Sequence, residues 1–97
     1  MRLEEQTIEQ LRAYFATKPV LKAYLFGSFA RGEADDKSDV DIMVDLDPAR
    51  PLGLQFFGMA VDLEEMLGRK VDLVTGSGMS PRVMPYVRPD LRLIYAR

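Results

Sequence analysis

Histidine, cysteine and tryptophan are absent from this 97-residue chain. Without cysteine the protein has no disulfides and no thiolate chemistry, and without histidine the common zinc sites and His-based catalytic triads are excluded. The side chain that most often acts as a general base near neutral pH is therefore missing. Any catalysis must depend on carboxylates, hydroxyls, basic side chains or a bound metal ion.

Long hydrophobic runs are also missing. No apolar stretch approaches the ~18 residues that a membrane span needs, and the charged start Met1–Glu5 lacks the apolar core of a signal peptide. We therefore expect a cytoplasmic protein with no membrane partner. The net charge of −2 gives no general attraction to nucleic acid, so direct nucleic-acid binding is not expected.

Charge of each sign is concentrated in one part of the chain. Residues 33–47 contain seven acids and a single base, Lys37, whereas residues 81–97 contain four arginines and a single acid, Asp90. Arginines near a terminus usually form a solvated surface, and a surface that faces a partner is the alternative.

The length and composition predict one domain, covering residues 1–97. Hydrophobic residues make up 47% of the chain, which is enough for one modest core. A chain of this size has little room for a second lobe. We therefore expect a second substrate, if there is one, to bring its own binding surface.

Hydrophobic periodicity and turn residues predict alternating helices and strands. The predicted helices cover residues 4–17, 28–31, 52–67 and 80–87. The predicted strands cover residues 20–26, 40–45, 70–75 and 91–95. This order predicts an α+β (or α/β) domain in which helices pack against one face of a sheet of three to four strands.

Turn residues set the expected ends of these elements. Gly32 and Gly68 stand where helices should end. Ser80 followed by Pro81 is typical of a helix start, and Pro89 should end that helix. Pro48 and Pro51 are expected to bracket the turn before the 52–67 helix.

A strand-to-helix turn at Gly27 and Ser28 is the first candidate binding feature. Glycine lets the backbone approach a ligand closely, and serine offers a hydroxyl and a backbone N–H. Arg31, about one helical turn further on, could add a cation for phosphate oxygens. Its alternative role is a surface ion pair with Glu33 or Asp35.

Acidic residues form the second candidate feature. Asp39 and Asp41 have the spacing that puts two side chains on one face of a strand, and such carboxylates repel each other unless a cation lies between them. Asp72 lies on a predicted strand, and it faces the same site if that strand pairs beside residues 40–45. Three carboxylates could hold two Mg²⁺ ions, and the third acid could act as a general base. A purely structural carboxylate is the alternative for Asp72.

The two features together resemble a known family. Gly27-Ser28, ten intervening residues and Asp39-x-Asp41 resemble the signature of the polymerase-β-like nucleotidyltransferases, and the segments GSFARGEADDKSDVDIMV and KVDLV resemble the minimal nucleotidyltransferases, abbreviated MNT. The resemblance extends from about residue 4 to the end of the chain. Phe29 departs from it, since relatives often have arginine there.

The resemblance implies a nucleotidyltransferase fold and a Mg²⁺-dependent transfer of a nucleoside monophosphate from ATP or another NTP. It implies that Asp39, Asp41 and Asp72 are catalytic and metal-binding residues, and that Gly27, Ser28 and Arg31 bind the nucleotide. Many MNT proteins are antitoxins of a small helical HEPN-type partner, and some transfer AMP to a tyrosine of that partner. A module that neutralises its partner by binding alone is the alternative function.

Overall fold

Helices and strands alternate along the computed structural model, which describes residues 1–50 and 53–97. The helices are α1 (Glu5–Ala16), α2 (Gly27–Arg31), α3 (Gln55–Leu67) and α4 (Met84–Val87), and a 3₁₀ helix (Arg88–Asp90) directly follows α4. The strands are β1 (Val20–Phe26), β2 (Val40–Leu46), β3 (Val71–Thr75) and β4 (Arg92–Ala96). Across the described ranges, no helix has the length and apolar character needed to span a bilayer.

The four strands form one mixed sheet in the order β3-β2-β1-β4. β2 and β3 are parallel, whereas β1 is antiparallel to both β2 and β4. This arrangement confirms the predicted α+β class and the sheet of three to four strands.

The hydrophobic core lies between the helices and one face of the sheet. Val40, Ile42 and Val44 alternate along β2 and are fully buried, whereas Asp41 and Asp45, at the intervening and following positions of the alternation, point to the opposite face. The helices contribute further fully or almost fully buried side chains, namely Leu11, Phe15, Phe29, Met59 and Leu63. Each such aliphatic or aromatic side chain stabilises the fold by roughly 1.5–3 kcal/mol.

Two helix ends agree with the sequence. α2 ends at Gly32 and α3 ends at Gly68, and both glycines adopt the left-handed conformation, with φ of 75° and 66°. A residue without a Cβ adopts this conformation at little cost. In the structure α3 begins at Gln55; the predicted start at Leu52 and the turn residue Pro51 lie outside the described residues.

The predicted helix over 80–87 ends at Val87 as expected, but its predicted start is wrong. The Ser80 hydroxyl accepts a hydrogen bond from the Arg82 amide (3.2 Å), which closes a local turn, and α4 begins only at Met84. Pro89 does not stop the helical path, because it lies in the first turn of the 3₁₀ helix, where a missing N–H costs nothing.

We expect Leu11→Ala to lower the free energy of unfolding by about 2–5 kcal/mol, because Leu11 is fully buried between α1 and the sheet. Leu54→Ala is the matched control, since Leu54 is 85% exposed and the same truncation should cost under about 0.5 kcal/mol. Urea unfolding followed by circular dichroism measures both. Equal losses in the two variants would contradict this placement of the core.

Candidate active site

The candidate site residues meet at one edge of the sheet. Because β1 runs antiparallel to β2, the end of β1 lies beside the beginning of β2, and Phe26 pairs with Asp41. Because β2 and β3 are parallel, their first residues are also neighbours, and Asp41 pairs with Asp72. Gly27, Asp41 and Asp72 thus lie together although they come from three separate parts of the sequence. The pairing of β3 beside β2 is the condition under which Asp72 was expected to face the site.

Three carboxylates interact at this edge. Asp39 and Asp72 are exposed, whereas Asp41 is half-buried between them. Burial, followed by repulsion from Asp72 and Asp39, raises the pKa of Asp41 to about 6, and the positive charge of Arg31 opposes this rise. Asp41 therefore holds its proton more tightly than an ordinary aspartate, and a cation that bound here would remove that repulsion.

Gly27 accommodates the Asp41 carboxylate. Its φ of 70° is in the left-handed region, and a Cβ at this position would collide with Oδ2 of Asp41 and lie 3.1 Å from its Cγ. The sequence analysis predicted that glycine allows a ligand to approach the backbone. The structure adds a second requirement, since the carboxylate of Asp41 itself occupies the space beside Gly27.

Ser28 lies in the first turn of α2. The residue that precedes the helix is Phe26, so Ser28 does not cap it. Its carbonyl accepts a hydrogen bond from the Glu33 amide (2.9 Å), which ties α2 to the following loop. Within the described part of the chain, no hydrogen bond engages the Ser28 hydroxyl, so this group is available to a ligand.

Arg31 is held by two carboxylates. Its Nε donates to Glu33 (2.7 Å) and its Nη1 donates to Asp90 (2.8 Å), and both bonds raise the pKa of the guanidinium. The Glu33 contact is the ion pair that the sequence analysis gave as the alternative role of Arg31, whereas the Asp90 contact was not expected. The positive charge of Arg31 opposes the rise in the pKa of Asp41, and the expected role of Arg31 in nucleotide binding stays a prediction.

Sequence reasoning missed Arg69, which organises the loop before Asp39. Its Nη1 donates to the carbonyls of Asp35 (3.1 Å) and Ser38 (3.0 Å), and its guanidinium lies 4.9 Å from the centre of the Phe29 ring. These contacts connect the end of α3 to both the loop and α2. No local pattern points to this role, because Arg69 is more than 30 residues from the carbonyls that it binds.

The chemistry of the site suits Mg²⁺. Carboxylate oxygens are hard ligands, and Mg²⁺ is typically bound by one or two carboxylates together with substrate phosphates. Among residues 1–50 and 53–97, no three Asp or Glu side chains are arranged to hold a metal ion together, so binding by all three acids stays a prediction. The raised pKa of Asp41 and the register of Asp41 with Asp72 fit a divalent cation at this corner.

Comparison with known families decides what kind of domain this is. The family model described as nucleotidyltransferase domain matches residues 5–92, which is most of the chain. The chain is a member of the nucleotidyltransferase family. The matched range contains every candidate site residue of this nucleotidyltransferase, from Gly27 to Asp72.

Individual relatives agree with this assignment. The nucleotidyltransferase is 41% identical to "Protein adenylyltransferase MntA" of Thermococcus cleftensis over 71 residues, which are 73% of this chain and 68% of the relative. A solved minimal nucleotidyltransferase has a TM-score of 0.76 and 32% identity, with 90% of this chain and 88% of that chain covered. A crystal structure described as a toxin-antitoxin with AMP-PNP has a TM-score of 0.77 and 25% identity, with 98% and 75% covered.

We expect Gly27→Ala to destabilise this nucleotidyltransferase more than Gly68→Ala. Both glycines have a similar positive φ, so both variants carry about 1 kcal/mol of backbone strain, but only the Cβ at position 27 collides with Asp41. Urea unfolding should show an additional loss of about 1 kcal/mol or more for Gly27→Ala, as expected for overpacking. Equal losses would show that the Asp41 carboxylate moves aside freely.

The burial of Asp41 and its repulsion by Asp72 and Asp39 predict a pH-dependent stability. The pKa of Asp41 is raised in the folded protein, so folding binds a proton between pH 4 and 6 and stability falls as the pH rises through this range. Without metal at pH 7.5, Asp41→Asn should stabilise the protein by about 1–2 kcal/mol after allowance for solvent screening. At pH 4 the gain should vanish. Thermal unfolding at the two pH values, with Asp36→Asn as an exposed control, tests this; a gain that is independent of pH would contradict it.

Proposed function

We propose that this nucleotidyltransferase transfers AMP from ATP to a hydroxyl group of a partner protein, and that it acts as the antitoxin of a HEPN-type toxin. The observation that carries the proposal is the pairing of Asp41 with Asp72, beside Gly27 and two residues after Asp39. This corner of the sheet combines acidic groups for a metal with backbone and hydroxyl groups for phosphates.

Each residue has a separate task in the proposed reaction. Asp39 and Asp41 would hold Mg²⁺, with Asp72 as the third acid, and Mg²⁺ bound there would supply positive charge that polarises the phosphate oxygens. Gly27 and Ser28 bind the phosphates through a backbone N–H and a hydroxyl. Arg31 adds a cation to the same phosphates.

Asp72 also acts as the general base, since of the paired Asp41 and Asp72 it is the exposed one and is open to an incoming acceptor hydroxyl. The acceptor oxygen forms a bond to the α-phosphorus as its proton passes to Asp72. The bond from the α-phosphorus to the bridging oxygen breaks, and pyrophosphate leaves with that electron pair. The products are pyrophosphate and a partner that carries one AMP group.

The proposed acceptor and partner rest on the relatives. A 41% identical relative is named a protein adenylyltransferase, and a solved structure with a TM-score of 0.77 is described as a toxin-antitoxin with AMP-PNP. The MNT resemblance adds a small helical HEPN-type protein as the partner. Retention of all three acids favours catalysis over neutralisation by binding alone.

Intact-mass measurement of the partner tests the proposal. The nucleotidyltransferase is incubated with Mg²⁺, each NTP in turn and the protein encoded by the adjacent gene. We expect the wild type to add the mass of AMP when ATP is supplied, and we expect Asp39→Asn with Asp41→Asn to lose at least about 10³-fold in rate, because two metal ligands are removed.

A charge-matched double variant, Asp36→Asn with Asp45→Asn, controls for the loss of two negative charges. Asp36 is exposed in the loop, and Asp45 lies opposite Lys22, about 13 Å from Asp41 along β2. This control should retain transfer. If the wild type modifies no partner and the Asp39, Asp41 variant still protects cells from the toxin, the protein neutralises its partner by binding and the proposed reaction is wrong.

A further inference from the structure

Arg31 and Asp90 form an ion pair between residues that are far apart in the sequence. The two residues are 59 positions apart, and the Nη1–Oδ2 distance is 2.8 Å. The Asp90 side chain is only 22% exposed, whereas Glu33, the other partner of Arg31, is 64% exposed and just two positions away. Asp90 is thus the better fixed of the two carboxylates.

The sheet fixes Asp90 at this position. Asp90 ends the 3₁₀ helix Arg88–Asp90, and β4 begins two residues later at Arg92, which pairs with Leu25 near the end of β1. Because α2 follows β1 directly, the antiparallel pairing of β1 with β4 brings Asp90 to α2. The carboxylate therefore reaches Arg31 from the last residue of the 3₁₀ helix, next to the start of β4.

The ion pair leaves part of the guanidinium available. An arginine has five N–H donors, of which Nε and one hydrogen of Nη1 are used here. Within the described ranges, no acceptor is hydrogen-bonded to Nη2 of Arg31. An arginine that is already held by two carboxylates loses less side-chain entropy when its remaining N–H groups bind a phosphate.

We infer that Asp90 is a positioning residue for the nucleotide site: it holds the Arg31 guanidinium beside the carboxylate corner, so that the remaining N–H groups meet the phosphates of a bound NTP. The inference rests on the proposed function, because it takes the nucleotide to be the ligand of Arg31. It gives a role to Asp90, the single acid within the arginine-rich residues 81–97.

Two effects of Asp90 oppose each other and can be separated. Its negative charge repels phosphate, whereas its hydrogen bond orders Arg31. Asp90→Asn removes the charge but keeps an acceptor oxygen, and Asp90→Ala removes both. If ordering dominates, Asp90→Ala should weaken Mg-ATP binding by about three- to tenfold, whereas Asp90→Asn should stay within about twofold of the wild type.

Isothermal titration calorimetry with Mg-ATP, on the full chain alone, measures these affinities without any transfer reaction. The decisive comparison is made in an Arg31→Ala background, where Asp90→Ala should cause no further loss of Mg-ATP affinity. Thermal unfolding of the same samples should show that every variant is folded at the temperature of the titration. Asp90→Glu should restore most of the affinity, since the longer carboxylate can still reach the guanidinium.

Three results would overturn the inference. The first is unchanged or tighter Mg-ATP binding by Asp90→Ala, and the second is that Asp90→Ala lowers the affinity equally in the wild-type and Arg31→Ala backgrounds. The third is that the wild type does not bind Mg-ATP. The last result would also remove the proposed function. A wild type that binds Mg-ATP but transfers nothing to its partner contradicts the proposed function alone, and the binding comparison still decides the role of Asp90.

Discussion

Repulsion among three carboxylates is the constraint around which this domain is arranged. Asp39, Asp41 and Asp72 are brought to one corner by strand pairing, and burial together with repulsion from Asp72 and Asp39 raises the pKa of Asp41 to about 6. The opposing stabilisation comes from the other face of the same strands, where Val40 and Ile42 are fully buried. One alternating strand thus contributes to the core and to the site at once.

The sequence predicts the parts of this arrangement that depend on neighbouring residues. Alternation along β2 predicts which residues of that strand face the core, and Gly32 and Gly68 predict where helices end. The predicted helix start at Ser80 is wrong, although the Ser80 hydroxyl accepts a hydrogen bond from the amide two residues ahead, as an N-cap side chain does. Residues 81–83 form a turn, and α4 begins only at Met84.

Contacts between distant residues could not be predicted in the same way. The sequence around Arg31 predicts a phosphate ligand or a partner of Glu33. Its hydrogen bond to Asp90 depends instead on the pairing of β1 with β4. The sequence around Arg69 indicates only a surface charge after a helix. In the structure, Arg69 donates hydrogen bonds to carbonyls of the loop that precedes Asp39. The contact of Arg31 with Asp90 and the loop contacts of Arg69 are therefore evident from the tertiary structure alone.

The absence of histidine gives these arginine contacts their importance. The site has no side chain that ordinarily titrates near pH 7, and its titrating groups are carboxylates whose pKa values depend on their surroundings. Burial and the other acids raise the pKa of Asp41, while Arg31 lowers it. Because Asp90 and Glu33 determine where the Arg31 charge lies, residues outside the carboxylate corner influence how readily that corner ionises and accepts a cation.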